Sequence, residues 1–284
     1  MTAGLLTQIN QIRHRICTIQ RLGTVAGMTV ILSGTPALAQ LKPEAAPSAL
    51  GRWTIDVAPE YFYWQEFVNG VKVDDESGLR YGLELSYKDL QDEGWLLAAR
   101  FKIYYGSVDY NGGTWTGAPV KTTTDYYGGL GELRYGYRWN VDEDQYLDLM
   151  GGFGLEDWHR SLNGAGGYNE KWLPINLKAG LELSPKEKGR IVTLGVKVPV
   201  YTTEVIDFGR VGGGTVTLHP GTLPSFYAEA GYKFTKNLSV TAYFDSYFFA
   251  KSSSETEEIS GMNYQVYQPQ TESFEVGVKA GWAF

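Results

Sequence analysis

At 284 residues the chain can hold one large domain or two small ones, so length alone decides little. Glycine (35) and tyrosine (20) are abundant and aromatics reach 14%, yet no apolar run reaches the roughly 18 residues of a membrane helix. The formal net charge of −7 argues against a nucleic-acid partner, which needs basic surface to displace phosphate counterions.

Residues 1–39 read as an export signal. Arg13, Arg15 and Arg21 form a basic start with no acidic residue before Glu44, and Leu22 to Ser33 is an apolar stretch too short to span a bilayer. Ala37-Leu38-Ala39 is a small-residue cleavage signature that would leave Gln40 as the new N-terminus. Cleavage removes three arginines, moving the net charge to about −10, and also removes Cys17, the single cysteine. A mature chain without cysteine forms no disulfide and has no thiol for lipid attachment. Residues 40–51, rich in Pro and Ala, read as a flexible periplasmic leader, with 52–284 as the membrane domain.

From Trp53 onward the hydrophobic period is two. Leu79, Tyr81, Leu83, Leu85 and Tyr87 alternate with Arg80, Gly82, Glu84 and Ser86, and Trp95 to Tyr105 and Leu173 to Leu183 repeat the pattern. Alternation puts one set of side chains on each face of a strand, whereas a helix would scatter them around its circumference. Ten such segments occur: 53–66, 78–89, 94–106, 125–139, 145–159, 171–184, 190–203, 223–234, 238–250 and 271–284. Each holds the roughly 9–11 residues that a tilted strand needs to cross a bilayer. Short polar turns at 90–93, 140–144, 185–189 and 235–237 alternate with longer segments at 67–77, 107–124, 160–170, 204–222 and 251–270. Short turns on one side and long loops on the other predict an all-β fold, a ten-stranded antiparallel up-and-down transmembrane β-barrel with the short turns periplasmic. Trp53, Tyr61, Tyr63, Tyr87, Trp95, Tyr105, Tyr135, Tyr137, Tyr232 and Trp282 fall near the ends of the apolar face, where interfacial aromatic girdles belong.

The last segment carries a resemblance. Phe274, Val276, Val278, Ala280, Trp282 and Phe284 alternate up to a terminal phenylalanine, similar to the final strand of the bacterial outer-membrane β-barrel superfamily. That resemblance implies outer-membrane localisation and makes Phe274, Trp282 and Phe284 the signal for the barrel assembly machinery. Outer-membrane lipid and lipopolysaccharide are the expected partners, and the barrel is expected to be a monomer.

The opposite face carries charge of both signs. Asp56, Glu60, Glu84, Glu132, Asp148, Glu156, Glu182, Glu229, Asp245 and Glu275 point inward, against Arg80, Arg100, Lys102, Arg134, Arg138, Lys178, Lys197, Lys233 and Lys279. A buried charge without a partner costs several kcal/mol, so near parity predicts ion pairs across the lumen. Ten strands lie close to the eight-stranded barrels that side chains fill, so a plugged lumen is expected over an open pore.

The densest cluster of functional groups is Glu156-Asp157-Trp158-His159-Arg160-Ser161. Asp157-Trp158-His159 is similar to the Asp-x-His pair of the ten-stranded omptin proteases, in which a carboxylate beside an imidazole orients a water. That family places the pair on the fourth long loop, which here holds Asp207 and His219 far apart, opposite acids on a second loop that offers only Asp109. His159-Arg160-Ser161 with Glu170 is similar to the His-x-Ser pair and distant Glu of the lipid A deacylases, a nucleophile–base–orienter set. The plainer reading is a group at the external rim, with Arg160 reaching lipopolysaccharide phosphates in a bidentate fork. Gly164 to Gly167 and Gly212 to Gly214 lack a following Lys-Ser/Thr and read as turn residues. Ser252 to Glu258 reads as a solvated loop tip. No cofactor or metal is expected, since His159 and His219 are the only histidines past the signal and no cysteine accompanies them. The expected function is that of a non-enzymatic outer-membrane protein whose external loops meet lipopolysaccharide, a surface or a small ligand. A narrow channel and a barrel-mouth hydrolase using Asp157, His159 and Ser161 are the alternatives.

Overall fold

A computed structural model describes residues 51–113, 118–164 and 166–284. The export signal and most of the leader lie outside these residues. Ten strands form the barrel wall: β1 (Arg52–Val68), β2 (Val71–Lys88), β3 (Gly94–Gly113), β4 (Pro119–Asn140), β5 (Gln145–Leu162), β6 (Asn169–Pro185), β7 (Gly189–Asp207), β10 (Ser225–Lys233), β11 (Leu238–Ala250) and β14 (Gln270–Ala283). Four shorter strands sit at the long-loop end: β8 (Thr215–Leu218), β9 (Gly221–Leu223), β12 (Glu255–Ile259) and β13 (Met262–Val266). Every neighbouring pair is antiparallel, β14 pairs with β1, and β7 pairs with β10, so the sheet closes. Closure leaves no unpaired edge within the bilayer, where a free N–H or C=O would find no water.

The alternation read from the sequence sets the two faces. Ile55, Val57, Leu83, Phe101, Ile103, Phe153, Leu177, Leu194, Val276 and Val278 are exposed on the outside. At the short-turn end this band meets Trp53, Trp95, Tyr135 and Trp282, with the Trp95 and Tyr135 rings stacked at 5.1 Å. At the other end it meets Tyr61, Tyr105, Tyr127 and Tyr201. The step from Trp53 to Tyr61, at ~3.3 Å per residue and a tilt of ~40°, separates the two aromatic levels by about 20 Å, close to the apolar band of an outer-membrane barrel.

The strands run on past the outer girdle. Segments 67–77 and 107–124, expected as loops, are largely continuations of the barrel wall, and 160–170 is so at its two ends, 160–162 and 169–170. β1 turns into β2 through Asn69 (φ 52°) and Gly70 (φ 77°) alone, the two-residue turn whose left-handed residues match the twist of a hairpin. Of Ser252 to Glu258, the stretch from Glu255 onward belongs to β12 rather than to a loop tip, and β12 and β13 form a second hairpin. That hairpin contributes Ile259 and Val266 to an apolar cluster with Ile206, Phe208, Val216 and Leu218, above the membrane level.

One irregularity reorients a strand. Ile175 pairs with Tyr201 but Asn176 pairs with Pro199, so Val200 is an extra residue in β7. Such a bulge flips the side-chain phase. Before it Thr193, Lys197 and Pro199 face inward; after it Thr202, Glu204 and Ile206 do.

Candidate functional site

The interior is layered. Nearest the short-turn end, Arg138 pairs with Asp148 through Nε and Nη2, each at 2.7 Å, and Lys88 bridges Asp148 (2.5 Å) and Glu182 (2.7 Å). Above it Glu132 accepts from Lys178 (2.5 Å) and Arg100 (3.1 Å) on one oxygen, and its other oxygen stands 2.8 Å from the Arg134 guanidinium. At this level Lys279 bonds Glu229 at 2.7 Å and stands 3.6 Å from Glu84. The next level joins Arg80 to Glu60 (2.6 Å) and Glu275 (2.5 Å), with Lys102 also on Glu60 at 2.5 Å. Lys197 pairs with Asp245. Tyr104 and Tyr247 donate to the two oxygens of Glu156 at 2.8 and 2.7 Å. A cavity of about 30 Å³ among these groups has room for about one water.

A layer of aromatic rings caps the ion pairs. Phe62, Trp64, Tyr104, Tyr126, Trp158, Trp172, Tyr247 and Phe249 pack together as one buried cluster. Trp158 stacks on Trp172 at 5.5 Å, and the Arg80 guanidinium lies 3.9 Å from the Phe62 centroid.

Above this floor the extended strands enclose a cup of about 710 Å³, open outward. Its lining includes Glu66, Asp74, Glu170, Tyr110, Tyr168, Phe208 and Tyr267. Arg160, fully buried, joins its base to the floor. It donates to Glu76 through Nε (2.9 Å) and Nη2 (2.5 Å) and to Glu170 through Nη1. Tyr126 and Thr124 complete the shell of Glu76 at 2.5 and 3.0 Å. Trp172 donates to Glu170 at 2.9 Å, and Trp64 and Gln268 donate to Glu66 at 3.1 and 3.0 Å. Five carboxylates therefore gather about one guanidinium: Glu66, Asp74, Glu76, Glu170 and Glu204. Glu204 is wholly buried and neither of its oxygens has a hydrogen-bond partner; Oδ1 of Asp74 has none either. Both groups lie beyond the outer girdle. Burial, then the charge of Glu66, pushes the Asp74 carboxyl well above the usual range. Burial, then Glu170 and Glu66, does the same to Glu204.

The hexapeptide 156–161 is split by the strand period. Glu156, Trp158 and Arg160 face the lumen, while Asp157, His159 and Ser161 face outward near the girdle. Arg160 therefore does not reach lipopolysaccharide, as its rim position suggested; its charge is spent on Glu76 and Glu170 inside. His159 Nε2 lies 3.7 Å from Asp157 and its ring stacks on Tyr127 at 4.5 Å. Lys171 reaches Asp157 at 3.1 Å, and Ser161 donates to Asn169 at 2.8 Å. Glu170, proposed as the orienter of a Ser–His pair, is on the opposite face of the sheet. Gly164 and Gly166 take positive φ in the β5–β6 connection, and Gly212 takes it at the end of a short 3₁₀ turn.

The sequence reading missed Glu66, Asp74, Glu76, Glu204 and Tyr110 as interior groups. For four of them the signal was present. Glu66 continues the inward phase of Glu60, Phe62 and Trp64, Asp74 and Glu76 continue that of Arg80 and Glu84, and Tyr110 that of Lys102 and Tyr104. Ending the strands at the membrane boundary hid them.

Neither a protein-family model nor a curated protein sequence matches the chain. Solved structures match it in fold. The outer membrane protease OmpT from Escherichia coli superposes with a TM-score of 0.55 at 12% identity, covering 84% of this chain and 97% of that one. Neisserial surface protein A follows at TM-score 0.36 and 10% identity, covering 83% and 100%. The attachment invasion locus protein Ail of Yersinia pestis follows at 0.31 and 11%, covering 82% and 99%.

Proposed function

We propose that this chain, an outer-membrane β-barrel by fold, is a non-enzymatic barrel that is closed along its axis and offers its external cup to a small ligand. The observation that carries the reading is the stacking of two opposite features on one axis. Below the cup, ion pairs and aromatic rings narrow the lumen to a residual cavity of about 30 Å³, which separates a cavity of about 260 Å³ at the short-turn end from the outer cup of about 710 Å³. A solute path needs continuous space, whereas a binding site needs a concave, partly apolar pocket with a few placed polar groups. His159 and Lys171, outward at the girdle, supply cationic or hydrogen-bonding contacts to lipopolysaccharide phosphates.

Planar-bilayer recording tests the closed axis. Purified barrel should give no steady conductance at neutral pH, and a stable, charge-selective conductance would replace this reading with the channel. The hydrolase alternative would use Asp157 and His159, which stand 3.7 Å apart toward the lipid side. If His159→Ala abolished a peptidase or lipid-deacylating activity of the wild-type barrel, the non-enzymatic reading would fail.

A further inference from the structure

We infer that the cup binds a small organic cation, an ammonium or guanidinium compound, with the carboxylate of Asp74 as its first anchor. The inference rests on the cup being a ligand site and adds the chemistry of the ligand. Four of the five carboxylates at the cup base sit on separate strands: Glu66 on β1, Glu76 beside Asp74 on β2, Glu170 on β6 and Glu204 on β7. Arg160 answers two of them, Glu76 and Glu170. Indole and amide donors hold Glu66. Asp74 lines the cup and its buried Oδ1 has no donor on it, while Glu204, behind Glu170, has no donor on either oxygen. Buried oxygens of this kind cost free energy until a donor arrives, and the donor that also corrects the charge is a cation.

Two further features select the kind of cation. Among the described residues no three Asp, Glu, His or Cys side chains converge as a metal-binding group, and a divalent ion needs several oxygens at once within about 2.6 Å. An ammonium needs one or two acceptors and tolerates wider spacing. The walls carry Tyr110 and Tyr267 beside Phe208 and Tyr168, and aromatic faces attract organic cations while also covering their methylenes.

The test uses the mature barrel in detergent micelles, with spermidine as the probe at physiological salt. Trp64 and Trp172 bond directly to Glu66 and Glu170, so tryptophan fluorescence and calorimetry should both report a saturable, one-to-one event. Asp74→Asn should weaken binding by at least about tenfold, the equivalent of ~1.4 kcal/mol. Glu204→Gln should also weaken it, yet leave the barrel about as stable as wild type, because the amide keeps the size of the buried side chain without its ionisable group. A purely structural role would move affinity and stability together. Glu143→Gln, on an exposed periplasmic turn, should change neither. The inference is overturned if spermidine gives no saturable signal with folded, heat-modifiable protein. It is equally overturned if Mg²⁺ at matched ionic strength reproduces the signal, or if Asp74→Asn binds like wild type. A silent bilayer together with any of these outcomes leaves the closed barrel standing and removes the cation alone.

Discussion

Arg138 and Asp148 face each other directly across β4 and β5 and form a two-pronged pair, Nε to Oδ1 and Nη2 to Oδ2, both at 2.7 Å. Cross-strand register supplies the alignment, and complete burial of Asp148 supplies the energetic consequence. Lys88 reaches the same carboxylate from β2, so the pair ties neighbouring wall strands to one farther around the barrel.

Removing Asp148 leaves the buried Arg138 guanidinium without its carboxylate, while Lys88 keeps Glu182. Asp148→Ala should therefore destabilise the barrel by about 3 kcal/mol, within the range for breaking a buried pair from one side. Arg138→Ala should cost less, because Lys88 still neutralises Asp148. Urea unfolding of the two single variants and the double variant measures this, with coupling above about 1 kcal/mol expected from the cycle. Additive losses would mean that the groups are hydrated and screened.

Tyr227 lies along the inner wall in a slot cut by two glycines of the neighbouring strands, Gly195 and Gly180. A Cβ on Gly195 would come within 2.1 Å of the Tyr227 ring and one on Gly180 within 2.4 Å of its hydroxyl, and Lys178 sits 4.3 Å from the same ring. Gly195→Val should cost about 1–3 kcal/mol through overpacking. Adding Tyr227→Ala should recover part of that loss by vacating the slot. Unfolding midpoints of the three proteins decide the matter, and a Gly195→Val barrel as stable as wild type would contradict the slot.

The terminal phenylalanine closes the barrel seam. The Phe284 N–H donates to the Trp53 carbonyl at 2.9 Å while the ring stays exposed. If that exposed aromatic docks to the assembly machinery, deleting Phe284 should lower the yield of heat-modifiable barrel in cells far more than it lowers refolding of purified protein in detergent. Equal losses in both settings would assign Phe284 to the seam alone.

What the sequence determined by itself was the wall. Period-two alternation from Trp53 to Phe284 defined ten strands, their lipid-facing side and the inward phase of Arg80, Glu84, Arg100, Lys102 and Lys279, because a bilayer permits only one face to be apolar. It could not say which inward groups meet. Arg80 finds Glu60 on the neighbouring strand and Glu275 one strand beyond, and such partners depend on register and shear, which local patterning does not encode. The same period misled when the residues of 156–161 were read as one cluster, since neighbours in a strand point to opposite sides of the wall. Arg160 went inside to Glu76, and His159 went outside to Tyr127. Glu204 depended on tertiary structure most of all. Counting by twos from Lys197 turns it outward; the extra residue Val200 in the β6–β7 ladder turns it inward, behind Glu170 at the base of the cup. A bulge is decided by how two strands align their hydrogen bonds, so the carboxylate that most needs a partner became visible only once the sheet had closed.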